Sequence, residues 1–391
     1  MRAELEAIVR AALRAADPAE AIRRHVHRRG ESLVVDGATY DLCAFDEVRL
    51  IAAGKAAAPM AAEVVQLLEK QPSVIVVVTK HGHLSPVPSP LCARHATLIE
   101  AGHPIPDEHS LRAGEAVCAA LRDCTSRTLV IACVSGGASA LLVAPYAGIS
   151  LGTLRAINDA LLRSGADIHE MNAVRARLDR LKGGGLVRLA QPAAVVGLIL
   201  SDVIGDPLDV IASGLTNDPQ AHNVLVGNNA QACRAAAQMA EHLGYAAHIA
   251  TTTLRGEARE AGAQIARDLL ALSPKTCRIY GGETTVTVRG SGRGGRCQEL
   301  ALAAALALDE AGAGETCCIV AWGTDGSDGP TDVAGAWADG ATVRRAAALG
   351  LDARDFLARN DSYTFFGRAG GHIRTGPTGT NVADVVLAVR L

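Results

Sequence analysis

Four times along the chain, a run of apolar or β-branched residues reaches glycine and is followed at once by helix-forming residues. The junctions lie at Ala53-Gly-Lys55, Ser135-Gly-Gly137, Gly290–Gly295 and Gly323-Thr-Asp-Gly326. Repetition of strand, glycine turn and helix predicts an α/β fold with a parallel sheet, because parallel neighbours need a long crossover and a helix usually supplies it. Open sheets of this kind bind ligands outside the carboxyl ends of their strands, so these loops are where function is expected. Strands are expected at Glu47–Ala53, Val74–Thr79, Ala96–Ala101, Thr128–Val134, Ala194–Leu200, Val224–Val226, Ala246–Ala250, Thr316–Trp322 and Asp384–Arg390, with a short β segment near Ser32–Tyr40. Helices are expected over 2–28, broken at Asp17-Pro18, and over Ala56–Glu69, Ser110–Leu121, 150–190, 229–242 and 256–271. The alternating run Glu283–Val288 has the period of a strand and would feed the Gly290–Gly295 loop, with a helix following from Arg296.

The 391 residues suffice for two domains. A turn-rich spot at Asp218-Pro219-Gln220 places the boundary, giving 1–220 and 221–391. With 49% hydrophobic residues but only 3% aromatic, the chain is an Ala/Val/Leu-rich α/β protein rather than an all-β one. The formal net charge of -3 offers no basic excess for nucleic acid or an acidic membrane, so small ligands are expected. None of the 10 cysteines forms a C-x-x-C pair, which predicts buried thiols in a reducing compartment. The first residues lack a signal-peptide core and no apolar run approaches the ~18 residues of a membrane helix, so a cytoplasmic location is expected.

Phosphoryl transfer needs cations and backbone donors around the phosphates, a carboxylate-held metal and an oriented nucleophile. Lys55, after Gly54 at a helix start, can set an ammonium beside a phosphate, although it also suits a solvated surface. Ser135, Gly136, Gly137 and Ser139 can form a nest of N–H and hydroxyl groups, or simply a tight turn. Asp202 and Asp206 follow an apolar strand, where a carboxylate can hold Mg²⁺, accept a hydroxyl proton or cap the next helix. Asp325 and Asp328, in a glycine-rich loop after Trp322, are the candidate Mg²⁺ ligands, although Asp-Gly pairs also mark plain turns. Arg296 sits at a helix N-terminus, where unpaired N–H groups and the dipole favour an anion. His81 and His83 have no third ligand at metal-binding spacing and read as loop histidines.

Eight blocks, in order, carry a resemblance: Ala53-Gly-Lys-Ala-Ala57, Ala101-Gly-His-Pro-Ile-Pro-Asp-Glu108, Val134-Ser-Gly-Gly-Ala-Ser-Ala-Leu141, Leu200-Ser-Asp-Val-Ile-Gly-Asp-Pro207, Gly281-Gly-Glu-Thr-Thr-Val286, Gly294-Gly-Arg-Cys-Gln-Glu-Leu300, Gly323-Thr-Asp-Gly326 and Thr375-Gly-Pro-Thr-Gly-Thr-Asn381. Together they resemble the glycerate 2-kinase family, which has an N-terminal Rossmann-like domain and a C-terminal MOFRL domain. The resemblance implies a parallel-sheet domain followed by a mixed-sheet α/β domain, with the active site in the cleft between them. The implied reaction is ATP-dependent phosphorylation of D-glycerate at its 2-hydroxyl, giving 2-phosphoglycerate, with ATP and Mg²⁺ as cofactors and a homodimer as an open option. It casts Lys55, Arg296 and Asp202 as catalytic residues. Gly54, Ser135, Gly136, Gly137, Ser139, Gly294, Gly295, Glu299, Glu283 and Thr324 would bind substrate or nucleotide. Relatives labelled hydroxypyruvate reductase suggest an NAD(P)H-dependent alternative, but no G-x-G-x-x-G with an acidic residue about 20 positions on follows the first strand. A kinase of a related sugar acid and a non-catalytic sugar-acid sensor are the other readings.

Two departures stand out. Cys297 replaces the asparagine usual in that family, and the segment from Leu215 to Val224 is shorter than usual. Beside Arg296 at a helix N-terminus, Cys297 is expected to be more acidic than a free thiol, and its alkylation to inactivate the enzyme.

Overall fold

The computed structural model describes residues 2–68, 72–92 and 96–391, so Glu69, the expected end of one helix, lies outside the described residues. Contacts group the chain into two units. The amino-terminal unit comprises Asp17–Asn228 with Gly379–Asn381, and the carboxyl-terminal unit the segment through Ala16 with Asn229–Thr378 and Val382–Leu391. No described helix is long and apolar enough to cross a membrane.

The amino-terminal unit begins with a small antiparallel sheet of β1 (Val26–Arg29), β2 (Ser32–Val35) and β3 (Ala38–Asp41). Its main sheet holds β4 (Glu47–Ala53), β5 (Val74–Lys80), β6 (Thr97–Ala101), β7 (Thr128–Ser135), β8 (Ala194–Leu200) and β9 (Ala221–Gly227), in the order β6-β5-β4-β7-β8-β9. Every pairing in it is parallel. All of β7 is buried, as a strand covered on both faces must be, and this explains its unbroken apolar run. The helix Glu108–Ala120, opened by a capping box of Asp107 and Ser110, lies so close that a Cβ on Gly114 would fall 1.9 Å from the Val143 carbonyl oxygen.

The carboxyl-terminal unit carries a mixed sheet of β10 (Ala246–Leu254), β11 (Thr276–Gly282), β12 (Gly314–Gly323), β13 (Gly335–Gly340), β14 (His372–Ile373) and β15 (Asp384–Arg390), ordered β10-β11-β15-β12-β13-β14. Only β10 and β11 run parallel; β15 lies antiparallel between β11 and β12. The helix Arg296–Glu310 is buried along most of its length between two apolar clusters.

Two expectations are corrected. Glu283–Val288 is not a strand: the buried strand is Thr276–Gly282, and Val288 is 73% exposed. The chain leaves the sheet at Gly282, whose φ of +142° and close approach to the Leu254 backbone admit no side chain. The β-branched alternation beyond it marks a surface run that holds one bridge, Thr285 to Glu257. Nor do the units part at 220. The Asp218–Gln220 turn is an internal connection, because β9 must pair with β8. The helix Arg2–Ala15 instead packs on the helix Asn229–His242 of the carboxyl-terminal unit, where the Tyr245 hydroxyl donates to Glu4 at 2.8 Å.

Candidate functional site

In the amino-terminal unit β4, β7 and β8 are neighbours, so the loops after them must meet. Gly54, at φ +126°, lies so near β7 that a Cβ would fall 2.2 Å from Ser135 Oγ. The Lys55 N–H donates to the Gly136 carbonyl at 2.9 Å, and the Ala56 N–H to Ser135 Oγ at 3.0 Å. Behind β7, a Cβ on Gly136 would sit 1.8 Å from Asp202 Oδ2, so only glycine lets that carboxylate stand against the loop. Asn381 Nδ2 donates to the same oxygen at 3.1 Å. Gly137, at φ +88°, faces both the Lys55 stem and the His103 ring. Ser139 Oγ is 2.8 Å from Ser213 Oγ. Lys55, Asp202, Gly54, Ser135, Gly136, Gly137 and Ser139 are thus brought together.

The charge there is positive. Among the described residues no carboxylate forms an ion pair with Lys55 or Lys80. Burial and then these two lysines push His103 down to about 4, so its ring is neutral at pH 7. His83 is lowered too, chiefly by burial, while it hydrogen-bonds the Lys55 backbone. The half-buried, neutral His103 ring beside the Lys55 and Lys80 ammonium groups, neither of which has a described carboxylate partner, forms a seat for an anion. Nothing in the local sequence marks Lys80 or His103 as site residues; only the fold brings His103 to the glycine that also faces Lys55. His81 pairs with Asp107 at 2.9 Å, away from any metal cluster.

The carboxyl-terminal unit corrects more of the expectations. The helix does start at Arg296, but its N-terminus is filled by the protein itself. Asp328 accepts from the Cys297 N–H at 3.0 Å, the Gln298 N–H at 2.8 Å and Gln298 Nε2 at 2.9 Å. Gly295 makes room for that carboxylate, and Gly294 for Ser362. Arg296 is no free cation either. Nε and Nη2 donate to Asp384 at 2.5 and 2.9 Å, and Nη1 lies 2.7 Å from Glu283. Burial works against its charge, but Asp384 and Glu283 hold the guanidinium protonated more firmly than usual. No local pattern marks Asp384, because its partner lies 88 residues away in sequence. Glu299 is taken by Arg259 and Asn360, and the Thr324 hydroxyl by the Ala383 carbonyl and the Val382 N–H. A cavity of about 560 Å³ is lined by Glu283, Gly294, Gly295, Arg296, Glu299 and Asn360 among others.

Asp328 does not fit Mg²⁺, and the two carboxylates therefore cannot act as a metal pair. Asp325 Oδ1 accepts from the Ser327 N–H and hydroxyl, and Asp328 is a buried cap with both oxygens used. Among the described residues no group of three His, Cys, Asp or Glu side chains could hold a metal ion.

Cys297 is likewise corrected. It is 2% exposed, and burial, then Asp384 and Asp328, raise its thiol well above the ordinary range. Iodoacetamide on the native protein therefore labels the exposed Cys43 and Cys92 and spares Cys297, as peptide mass spectrometry would read. Ligand-protected labelling of Cys297 would show that the helix start opens in solution.

A parallel sheet whose strand-end loops gather uncompensated lysines, a glycine nest and a carboxylate defines an α/β enzyme acting on small anionic substrates. The family described as a domain of unknown function, DUF4147, matches residues 4–251, and the MOFRL family matches residues 276–384. The glycerate 2-kinase of Pyrococcus horikoshii is 36% identical, over 98% of this chain and 96% of the relative. The crystal structure of a glycerate kinase from Thermotoga maritima, 35% identical, superposes with a TM-score of 0.87 over 98% of each chain. A relative named hydroxypyruvate reductase in Agrobacterium vitis is 38% identical over 86% of this chain and 97% of its own. The chain belongs to the glycerate 2-kinase family.

Proposed function

We propose that the protein transfers the terminal phosphoryl group of ATP to the 2-hydroxyl of D-glycerate, giving 2-phosphoglycerate and ADP. The observation that carries this reading is the uncompensated Lys55 at the Ser135–Gly137 nest, with Asp202 held against Gly136. Transfer of a phosphoryl group rests on positioning and charge stabilisation rather than covalent help from the protein. Lys55 neutralises charge on the transferred group, supported by Lys80, and the loop N–H groups fix its oxygens. Asp202, oriented by Asn381, accepts the proton of the attacking hydroxyl. Arg296 keeps its bond to Asp384 and meets an anion by exchanging Glu283, whose side chain is 43% exposed. A cytoplasmic site of action follows from an ATP-dependent reaction on a small acid.

A coupled assay for ADP with D-glycerate, ATP and Mg²⁺ tests this, with the product read by phosphorus NMR. Phosphate on O2 is expected. Phosphate only on O3, or NAD(P)H oxidation with hydroxypyruvate in the absence of ATP, would reject the assignment.

A further inference from the structure

The strand-end loops of the amino-terminal unit are tied to a second cation that the sequence did not single out. Arg175 stands on the helix Ile168–Leu178 and is half-buried. Its Nε donates to Asn158 Oδ1 at 2.9 Å and its Nη1 to Asn172 Oδ1 at 3.1 Å. Both acceptors are neutral amides, and among the described residues no carboxylate pairs with Arg175. Asp179, just past the end of that helix, is consumed by the buried Lys182 at 3.3 Å and by the N–H groups of Ala144 and Leu181, and Glu170 on the helix caps its own N-terminus. Burial accordingly lowers the Arg175 pKa with nothing to offset it. A half-desolvated guanidinium without a counter-ion is costly unless something else supplies the negative charge.

The same hydrogen bonds place Arg175 beside the reaction loops. Asn172 Oδ1 also accepts from Ser213 Oγ at 3.1 Å, and Ser213 Oγ is 2.8 Å from Ser139 Oγ, two residues after the glycine that faces Lys55. Ser213 is held at φ +55° and Ala212 at +52°, an unfavourable backbone for side-chain-bearing residues that aims the Ser213 hydroxyl into this network. Among the described residues Arg175 Nη2 has no hydrogen-bond partner, and it offers an N–H edge to a planar anion.

We propose that Arg175, at the end of the hydrogen-bonded chain Ser139–Ser213–Asn172, binds the carboxylate of the acceptor and so selects 2-hydroxy acids over uncharged polyols. The inference rests on the reading of the protein as a kinase of D-glycerate. It separates two anion seats within one unit: Lys55 and Lys80 take the phosphoryl group, and Arg175 takes the carboxylate.

Calorimetric titration of D-glycerate into wild-type protein and Arg175→Gln, without nucleotide, tests it. Loss of one charge-assisted contact weakens binding on the order of 10–100-fold, with an unchanged KM for ATP. Arg175→Lys keeps the charge but not the planar fork, and should recover part of the affinity. Equal circular dichroism spectra and melting temperatures establish that the variants are folded; should Arg175→Gln fail to fold, Arg175→Lys gives the same reading through its rise in glycerate Kd. Wild-type protein that binds glycerate while both variants bind it within about threefold overturns this inference and leaves the proposed reaction standing. Wild-type protein that binds no glycerate, yet turns over another acceptor, overturns both.

Discussion

Replacing Lys55 with methionine lowers kcat by roughly 10²–10³-fold and leaves the protein folded. Lys55 opens the loop before the helix Ala57–Leu67, no described carboxylate depends on its charge, and its apolar stem is matched by methionine. The loss therefore falls on the charge that develops as the phosphoryl group moves, and not on stability. Melting temperature and circular dichroism should match wild type while steady-state kinetics collapse. The KM for ATP rises less than kcat falls, because an interaction made mainly in the transition state shows in kcat. A variant whose kcat stays within roughly threefold of wild type would reduce Lys55 to a surface lysine.

Asp328→Ala has the opposite signature. Its carboxylate is 1% exposed and satisfies two helix N–H groups and the Gln298 amide. Removing it strands three donors in the interior at the start of the helix Arg296–Glu310, which should cost about 3–5 kcal/mol. For a unit of this size the melting temperature falls by roughly 10 °C. Thermal and urea unfolding both measure the change. If Asp328 served instead as an Mg²⁺ ligand, the variant would melt like wild type and regain activity at high Mg²⁺, the result that would restore the metal role.

The strands of the parallel sheet could be read from the chain because burial on both faces writes an apolar run: it is unbroken over Ala194–Leu200 and begins at Leu50 in Glu47–Ala53, and both fall on the expected residues. Asp384–Arg390 does so as well, for the same reason in the middle of the second sheet. Where burial is one-sided, the pattern misleads. Glu283–Val288 alternates like a strand, yet the sheet had already ended at Gly282. The strand Gly335–Gly340 carries no strand signal in the sequence, because it reads Gly-Ala-Trp-Ala-Asp-Gly and has no β-branched residue. In the site, Lys55, Ser135 and Asp202 announce themselves as polar residues at strand ends. What one stretch of sequence cannot show is whether a seat is already taken. The helix start at Arg296 has every local feature of an anion site, and Asp328, 30 residues beyond Gln298, and Asp384, 88 residues beyond Arg296, occupy it. The acidity of Cys297 follows the same rule, since burial and two neighbouring carboxylates outweigh the helix dipole and raise its thiol.

The position of β15 has a consequence for biosynthesis. It bridges β11 and β12, yet it leaves the ribosome after both, separated from β12 by about 60 residues, or roughly 3–12 s of translation. Through that interval two central strands expose unpaired edges, the condition under which nascent β-structure pairs with the wrong partner. Chaperone demand and inclusion-body formation on overexpression should therefore originate in this half of the molecule, and slower translation would lengthen the exposure rather than relieve it.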